Sequence, residues 1–381
     1  MRRIARGARD AAIILVLSLA FAGLLEVGVR VAGRLRSTTW PSTKAARFTV
    51  EIHRALELYR RHPFLNASPR EGARVVAFGK QASFNSLGYR SPERPRSKPP
   101  GVVRIVCSGG STTFDLLALD DAGTWPWRVE TALRRRGLDV EVFNAGFPGW
   151  TSLENLISLA IRDVDLAPDV VILYQSINDL QPASHRPFDA QYEHGHAEIV
   201  IRALGFDLQP LRWYERSVLV EKSRELVLGE SDPWQRLSGP GAGEPVPEVP
   251  AEAVTTFERN LRSYVAVAAA ADARAVLVTQ SIRVRRGSVD ADLRYLAQWI
   301  EGLEPIAVAS QLERFNEVMR VVSREGTALL IDVAREVPWE DGDFADPLHF
   351  SGRGSERMAD FMARSLELTP LPSVGDTSGP G

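Results

Sequence analysis

Short apolar runs rich in valine and isoleucine recur along the chain from residue 102 onward. They lie at Val102–Ser108, Val140–Asn144, Asp169–Tyr174, Ala275–Gln280 and Ala328–Val333. Runs of this kind, apolar at successive positions instead of alternating, predict strands buried on both faces. Between them the apolar spacing changes to that of a helix. In Trp125–Arg136, for example, Trp127, Val129, Ala132 and Leu133 fall on the inward stripe. Further helices are predicted over Ser152–Arg162, Val254–Ala271, Ile306–Arg324 and Gly354–Leu366. Strands separated by helices imply an α/β fold with a parallel sheet covered on both sides. Two interruptions, residues 181–250 and 281–305, stand outside this alternation as insertions.

The start of the chain follows another pattern. Ala11–Leu25 is apolar and uncharged, and the apolar character resumes over Val27–Gly33 after Glu26. A membrane-crossing helix needs about 20 residues. Ala11–Gly33 supplies them if Glu26 and Arg30 sit at the interface, with Arg30 snorkelling. A cleaved signal peptide ending at Ala20-Phe21-Ala22 competes with this reading. The apolar run continues past that site, which favours an uncleaved anchor over residues 1–33. Arg2, Arg3, Arg6 and Arg9 fit a cytoplasmic N-terminus with the rest exported to the periplasm or cell surface, although Arg34, Arg36, Lys44 and Arg47 on the far side leave little net bias. Residues 34–100 form a lead-in, with Asn85–Arg90 as a turn between short strands and Ser91–Pro100 as a linker. The main domain then spans residues 101–368. The tail, residues 369–381, is rich in Pro, Gly and Ser and is expected to be disordered. The first insertion ends in the glycine- and proline-rich stretch Gly239–Pro245, an expected mobile loop. This insertion is expected to roof the crevice and set specificity.

Composition narrows the function. A net charge of −2 argues against a nucleic-acid partner. The single cysteine, Cys107, excludes an internal disulfide and reads as a small buried side chain. His194-Gly195-His196 lacks an evident third ligand and reads as a solvated loop. Arg283, Arg285 and Arg286 read as a solvated face, with an anionic polymer as the alternative partner. No cofactor or metal is expected.

Candidate chemistry gathers after the strand ends. Gly109-Gly110-Ser111-Thr112-Thr113 follows the first strand, and Asn144 to Ser152, with Gly149, follows the second. Gln175-Ser176-Ile177-Asn178-Asp179 follows the third, and Asp346-Pro347-Leu348-His349 follows the last. Ligands bind outside the carboxyl ends of parallel strands, so all four can meet over one crevice. Ser111 needs a base, His349 can be one, and Asp346 can accept the other ring N–H. The backbone N–H groups of Ser111 and Gly149 and the amide of Asn178 can serve as oxyanion donors. Trp150 and Trp339 are candidates for stacking on a sugar, with packing as the alternative. Thr112 and Thr113 are expected to cap the helix that follows.

This ordered set resembles the SGNH (GDSL-type) hydrolase superfamily, whose markers are a serine, a glycine, an asparagine and a histidine. The resemblance covers roughly Val102 to Leu366. It implies a three-layer α/β/α, flavodoxin-like fold with five parallel strands, and ester chemistry without a metal. It makes Ser111 the nucleophile, Gly149 and Asn178 oxyanion residues, and His349 the base backed by Asp346. Asn85–Arg90 and the N-terminal helix look like those of membrane-attached bacterial members. Gly110 stands where the eponymous Gly-Asp-Ser has aspartate, and Ser176 where the third block usually has glycine. The expected function is hydrolysis of an O-acyl or O-acetyl ester on a cell-envelope glycan or lipid. An O-acyltransferase using the same triad and a silent glycan-binding protein are the alternatives.

Overall fold

Each of the five apolar runs becomes a parallel strand because helices are available to cover both of its faces. The computed structural model describes residues 2–36, 42–192, 211–228, 244–283 and 290–367. Gly239–Gly243, His194, His196, Arg285, Arg286 and the tail lie outside the described residues. Strands are numbered along the chain. β1 (Tyr59–His62) pairs with β2 (Asn66–Pro69), and β3 (Arg74–Ala77) with β4 (Lys80–Ser83), as two antiparallel hairpins. The sheet follows with β5 (Val103–Gly109), β6 (Val140–Asn144), β7 (Val170–Tyr174), β8 (Arg274–Val278) and β9 (Leu329–Ile331). Its order is β6-β5-β7-β8-β9, all parallel. The chain reverses its direction of growth between β5 and β7, and this switch point opens the crevice at their carboxyl ends.

Alternate residues of each strand feed two separate cores. Val106, Val171, Leu173, Ala275 and Leu277 meet helices Ser152–Ile161, Ala251–Ala270 and Val308–Arg324. Ile105, Cys107, Ile172, Val276 and Val278 meet helices Trp125–Arg135 and Gly352–Glu367 on the other side. The result is three layers, α/β/α. Cys107 is fully buried, and burial pushes its thiol up, away from thiolate chemistry.

The described residues fall into two compact units, 2–36 and 42–53 with 211–228, and 54–192 with 244–283 and 290–367. In the first, helix Arg2–Arg36 is long and apolar enough over Ala11–Arg36 to cross a membrane. Glu26 is not a stray charge in that helix. Its carboxylate accepts from Arg30 Nε at 2.6 Å, the Ser217 hydroxyl at 2.8 Å, and the amides of Val218 and Leu219 at 2.9 and 2.7 Å. It therefore caps helix Val218–Leu228 from outside that helix's own segment. Residues 211–228 of the first insertion thus belong to the unit that holds the apolar helix.

In the second unit the lead-in is packed against the sheet's loops. Leu58, Tyr59, Leu65, Ala67, Val75 and Phe84 share a small core with Phe114, Phe147 and Trp150. Asn85–Arg90 is a turn, but it follows β4 without a strand after it, because Asn85 Oδ1 accepts from the Leu87 and Tyr89 amides and bends the backbone locally. The stretch with linker composition is a strap. Arg104, wholly buried in β5, spends all five guanidinium N–H donors. It donates to Glu141 at 2.8 Å and to the carbonyls of Pro95, Arg96, Ser97 and Leu166 at 2.6–3.1 Å. The stretch that reads as a second insertion also holds a helix, Asp290–Trp299.

Replacing Arg104 by Met leaves four buried carbonyls without their donor and Glu141 with only its longer pair to Arg94 at 3.5 Å. Urea denaturation should show a loss of about 3–5 kcal/mol of stability. An unchanged midpoint would mean the strap contributes nothing.

Candidate active site

β5 delivers Ser111 through two glycines that leave no space for side chains. A Cβ at Gly109 would lie 2.1 Å from Thr113 Oγ1 and 2.3 Å from the Tyr174 carbonyl oxygen. Ser111 then opens a one-turn helix, Ser111–Phe114, capped by Gly110 without a side-chain bond. Thr112 and Thr113 do not cap it. Their hydroxyls face the strand ends: Thr113 donates to Tyr174 O at 3.1 Å, and Thr112 accepts from Gln280 Nε2 at 3.3 Å. Arg90, also fully buried, holds the other end of this helix. Its guanidinium donates to the carbonyls of Phe114 and Asp115 at 2.9 and 3.1 Å, pairs with Asp121 at 2.8 Å, and lies over the Phe114 ring.

The last strand's loop brings His349 to Ser111. The Ser111 hydroxyl lies 2.8 Å from His349 Nε2, and His349 Nδ1 lies 2.8 Å from Asp346 Oδ2. With Nδ1–H donating to the carboxylate, Nε2 keeps its lone pair for the serine proton. Asp346 Oδ1 accepts from the amides of Leu348 and His349, both at 2.8 Å. Burial alone would raise the Asp346 carboxyl, but His349 and these amides hold it below the usual carboxylate range.

Asn178 follows β7 and reaches Gly110 directly. Its Nδ2 sits 2.3 Å from where a Cβ on Gly110 would be, and it donates to Trp150 O at 2.8 Å. The amide's second N–H remains for another acceptor. Gly149 lies in the turn before Trp150 with φ of +83°, a conformation open to glycine. Ser111, His349, Asp346 and Asn178 are therefore assembled at one crevice, and Gly149 neighbours them through the Trp150 carbonyl.

Below them lies a buried polar network. Asp179 accepts from Ser152 N at 3.0 Å, Ser152 Oγ at 2.5 Å and Gln175 Nε2 at 3.0 Å, so it ties the second strand's loop to the third's. Ser176 fits without glycine, because its φ is −164° and its hydroxyl donates to Gln175 O at 2.6 Å. Trp150 and Trp339 are packed, not available to a sugar: Trp150 is wholly buried against Phe147, and Trp339 is stacked on Phe350. Arg283 is no solvated charge either, since it pairs with Asp292 at 2.7 Å. No group of three metal-ligating side chains occurs among the described residues.

A model of the GDSL-like lipase/acylhydrolase family matches residues 107–357. The chain belongs to that family. It is a hydrolase acting on ester bonds. Among solved structures, the acylhydrolase is similar to a lipase/acylhydrolase from Enterococcus faecalis, at 18% identity over 70% of this chain and 95% of that one, with a TM-score of 0.41. It is also similar to a GDSL-like lipase from Bacteroides thetaiotaomicron (12% identity, 70% and 88% covered, TM-score 0.39) and to the acetyl xylan esterase AlAXEase (13%, 69% and 100%, TM-score 0.41). No curated protein matches the sequence. Arg90 and Asp179 are the acylhydrolase residues whose place beside the crevice the sequence reading did not foresee. Asp179 was visible only as the neighbour of Asn178, and Arg90 as the end of a turn.

Two outcomes are expected of this site. Gly110→Ala should push Asn178 off its Trp150 contact and cost the acylhydrolase ~10²-fold in turnover, with little change in melting temperature. Unchanged turnover would show that Asn178 does not need its observed place. Burial pushes the Asp179 carboxyl up from 3.8 to about 6 against the donors around it. Its folded value exceeds its unfolded one, so the stability it gives is complete below pH 3.8 and is lost as pH rises through about 6. Asp179→Asn cannot ionise. In thermal melts it should therefore gain on the parent between those two pH values, and a constant offset would refute the assignment.

Proposed function

We propose that this acylhydrolase is a serine esterase in which Ser111 is the nucleophile, His349 the base and Asp346 its partner. The observation that carries this reading is the unbroken chain from Asp346 through both ring nitrogens of His349 to the Ser111 hydroxyl. His349 Nε2 takes the serine proton as Oγ attacks the ester carbonyl carbon. The oxyanion is held by the Ser111 and Gly149 amides and the second N–H of Asn178. Collapse of the tetrahedral species passes the proton to the departing alcohol and leaves an acyl-serine. Water, deprotonated by His349 in turn, then frees the acid.

The substrate in this reading is an O-acyl, chiefly O-acetyl, ester on a cell-envelope glycan or lipid. A catalytic unit outside the cytoplasm, held by helix Arg2–Arg36, would meet such substrates at the membrane. The apolar span supports the membrane attachment in this setting. Transfer of the acyl group to a glycan hydroxyl instead of water would use the same acyl-serine.

Full-length protein in detergent should hydrolyse p-nitrophenyl acetate. Ser111→Ala should lose ~10³-fold or more of that rate. Asn178→Ala should lose ~10²–10³-fold. Equal rates for the parent and Ser111→Ala would remove the nucleophile assignment. With an O-acetylated glycan, free acetate marks hydrolysis and an acetylated acceptor marks transfer.

A further inference from the structure

Asp346 has a partner that the four strand-end segments do not supply. Tyr295, on helix Asp290–Trp299, donates its hydroxyl to Asp346 Oδ2 at 3.1 Å. The same oxygen takes the His349 Nδ1 proton at 2.8 Å, while Oδ1 takes the amides of Leu348 and His349. A carboxylate offers about four lone-pair sites, and four donors fill them. Tyr295 is half-buried and packs against the sheet's core, so its ring is fixed independently of the bond it makes. Its own surroundings favour the donor form, because burial and the neighbouring Asp346 charge push the phenol well above its usual value.

The rest of this insertion grips the same loop. The Arg283 amide donates to Pro347 O at 3.0 Å. The Arg283 guanidinium pairs with Asp292 at 2.7 Å, one turn before Tyr295 on the same helix. At its far end, the helix's Trp299 carbonyl accepts from Gln181 Nε2 at 2.8 Å, which links it to the segment just after Asn178. Arg283 and helix Asp290–Trp299, within a stretch whose sequence reads as an insertion, thus contact both the base-bearing loop and the neighbourhood of the end of β7.

We infer that Tyr295 is a positioning residue for the ester chemistry proposed above, holding the Asp346 carboxylate in the plane that fixes His349. It touches no substrate and acts only through Asp346. The inference rests on the Ser111–His349–Asp346 reading. Losing one bond to a charged group that orients a catalytic base is expected to cost about tenfold in rate.

The test is a double-mutant cycle on the full-length protein with p-nitrophenyl acetate. Tyr295→Phe, which removes only the hydroxyl, should lower kcat about tenfold with KM within twofold of the parent. In the Asp346→Ala background the same change should have no further effect, because the group it acts through is gone. The rate at which a p-nitrophenyl phosphonate labels Ser111 should follow the same pattern and gives a second measure when turnover is low. Full activity in Tyr295→Phe would overturn the inference, as would a tenfold loss that persists without Asp346. A parallel fall in melting temperature and kcat in both backgrounds would assign Tyr295 a purely structural role and also overturn it. If Asp346→Ala itself retains parental activity, the triad reading fails instead, so the two failures are distinguishable.

Discussion

The sheet's loops close in at the carboxyl end of β5, beside the middle strand β7. Where β5 ends, the space a side chain would need at Gly109 is filled by Thr113 and the end of β7, and the space at Gly110 by the Asn178 amide. Two strand ends and a one-turn helix therefore approach to contact distance, which excludes a Cβ at Gly109, while a side chain at Gly110 would have to displace the Asn178 amide. Everything chemical follows from that closeness. Ser111 is lifted to the rim with its helix pinned from below, and Asn178 is held beside it by geometry, not by chance encounter. The lead-in matters for the same reason. Its hydrophobic side chains meet Phe114, Phe147 and Trp150, so it braces the loops that follow the first and second strands.

The site divides its carboxylates by environment. Asp346 lies at the crevice, surrounded by donors, and stays ionised below the usual range. Asp179 lies deeper, where loss of water outweighs its donors and moves it up to about 6. Two acids within one polar framework are thus moved in opposite directions from the usual carboxylate value, the first by its donors and the second by burial.

Much of this was legible because its signals are local. Strands β5 to β9 announce themselves as short runs dominated by valine, isoleucine and leucine, since both faces are covered, even though Arg104 and Glu141 lie within β5 and β6. Ser111, Asn178 and His349 stand out because each follows such a run within a few residues. What was illegible depends on distant or anonymous partners. Arg90 and Arg104 bind mainly backbone carbonyls, which every residue carries, so no residue type marks the other half of the interaction. Trp150 looks available in a loop sequence, yet its place is decided by hairpin residues some 80 positions earlier, with Ala67 accepting its indole N–H. Tyr295 is hard to place from sequence because helix Asp290–Trp299 lies between the arginine-rich stretch at 283–286 and Gly302–Pro305, which resemble an insertion. Leu293 and Leu296 within it, and Ile300 just past its end, carry a helical spacing.

The Glu26 carboxylate has a consequence for how the chain is made. Its capping partners, Ser217 to Leu219, stand about 190 residues later in the sequence. A ribosome releases the apolar helix long before those groups exist, and until then Arg30, one turn away, is the carboxylate's companion. The first unit is consequently finished late, by a segment that must return to the beginning of the polypeptide after β5, β6 and β7 have already emerged. Synthesis order and assembly order run in opposite directions here, and an acid in an otherwise oily stretch keeps the place for the returning strand of chain.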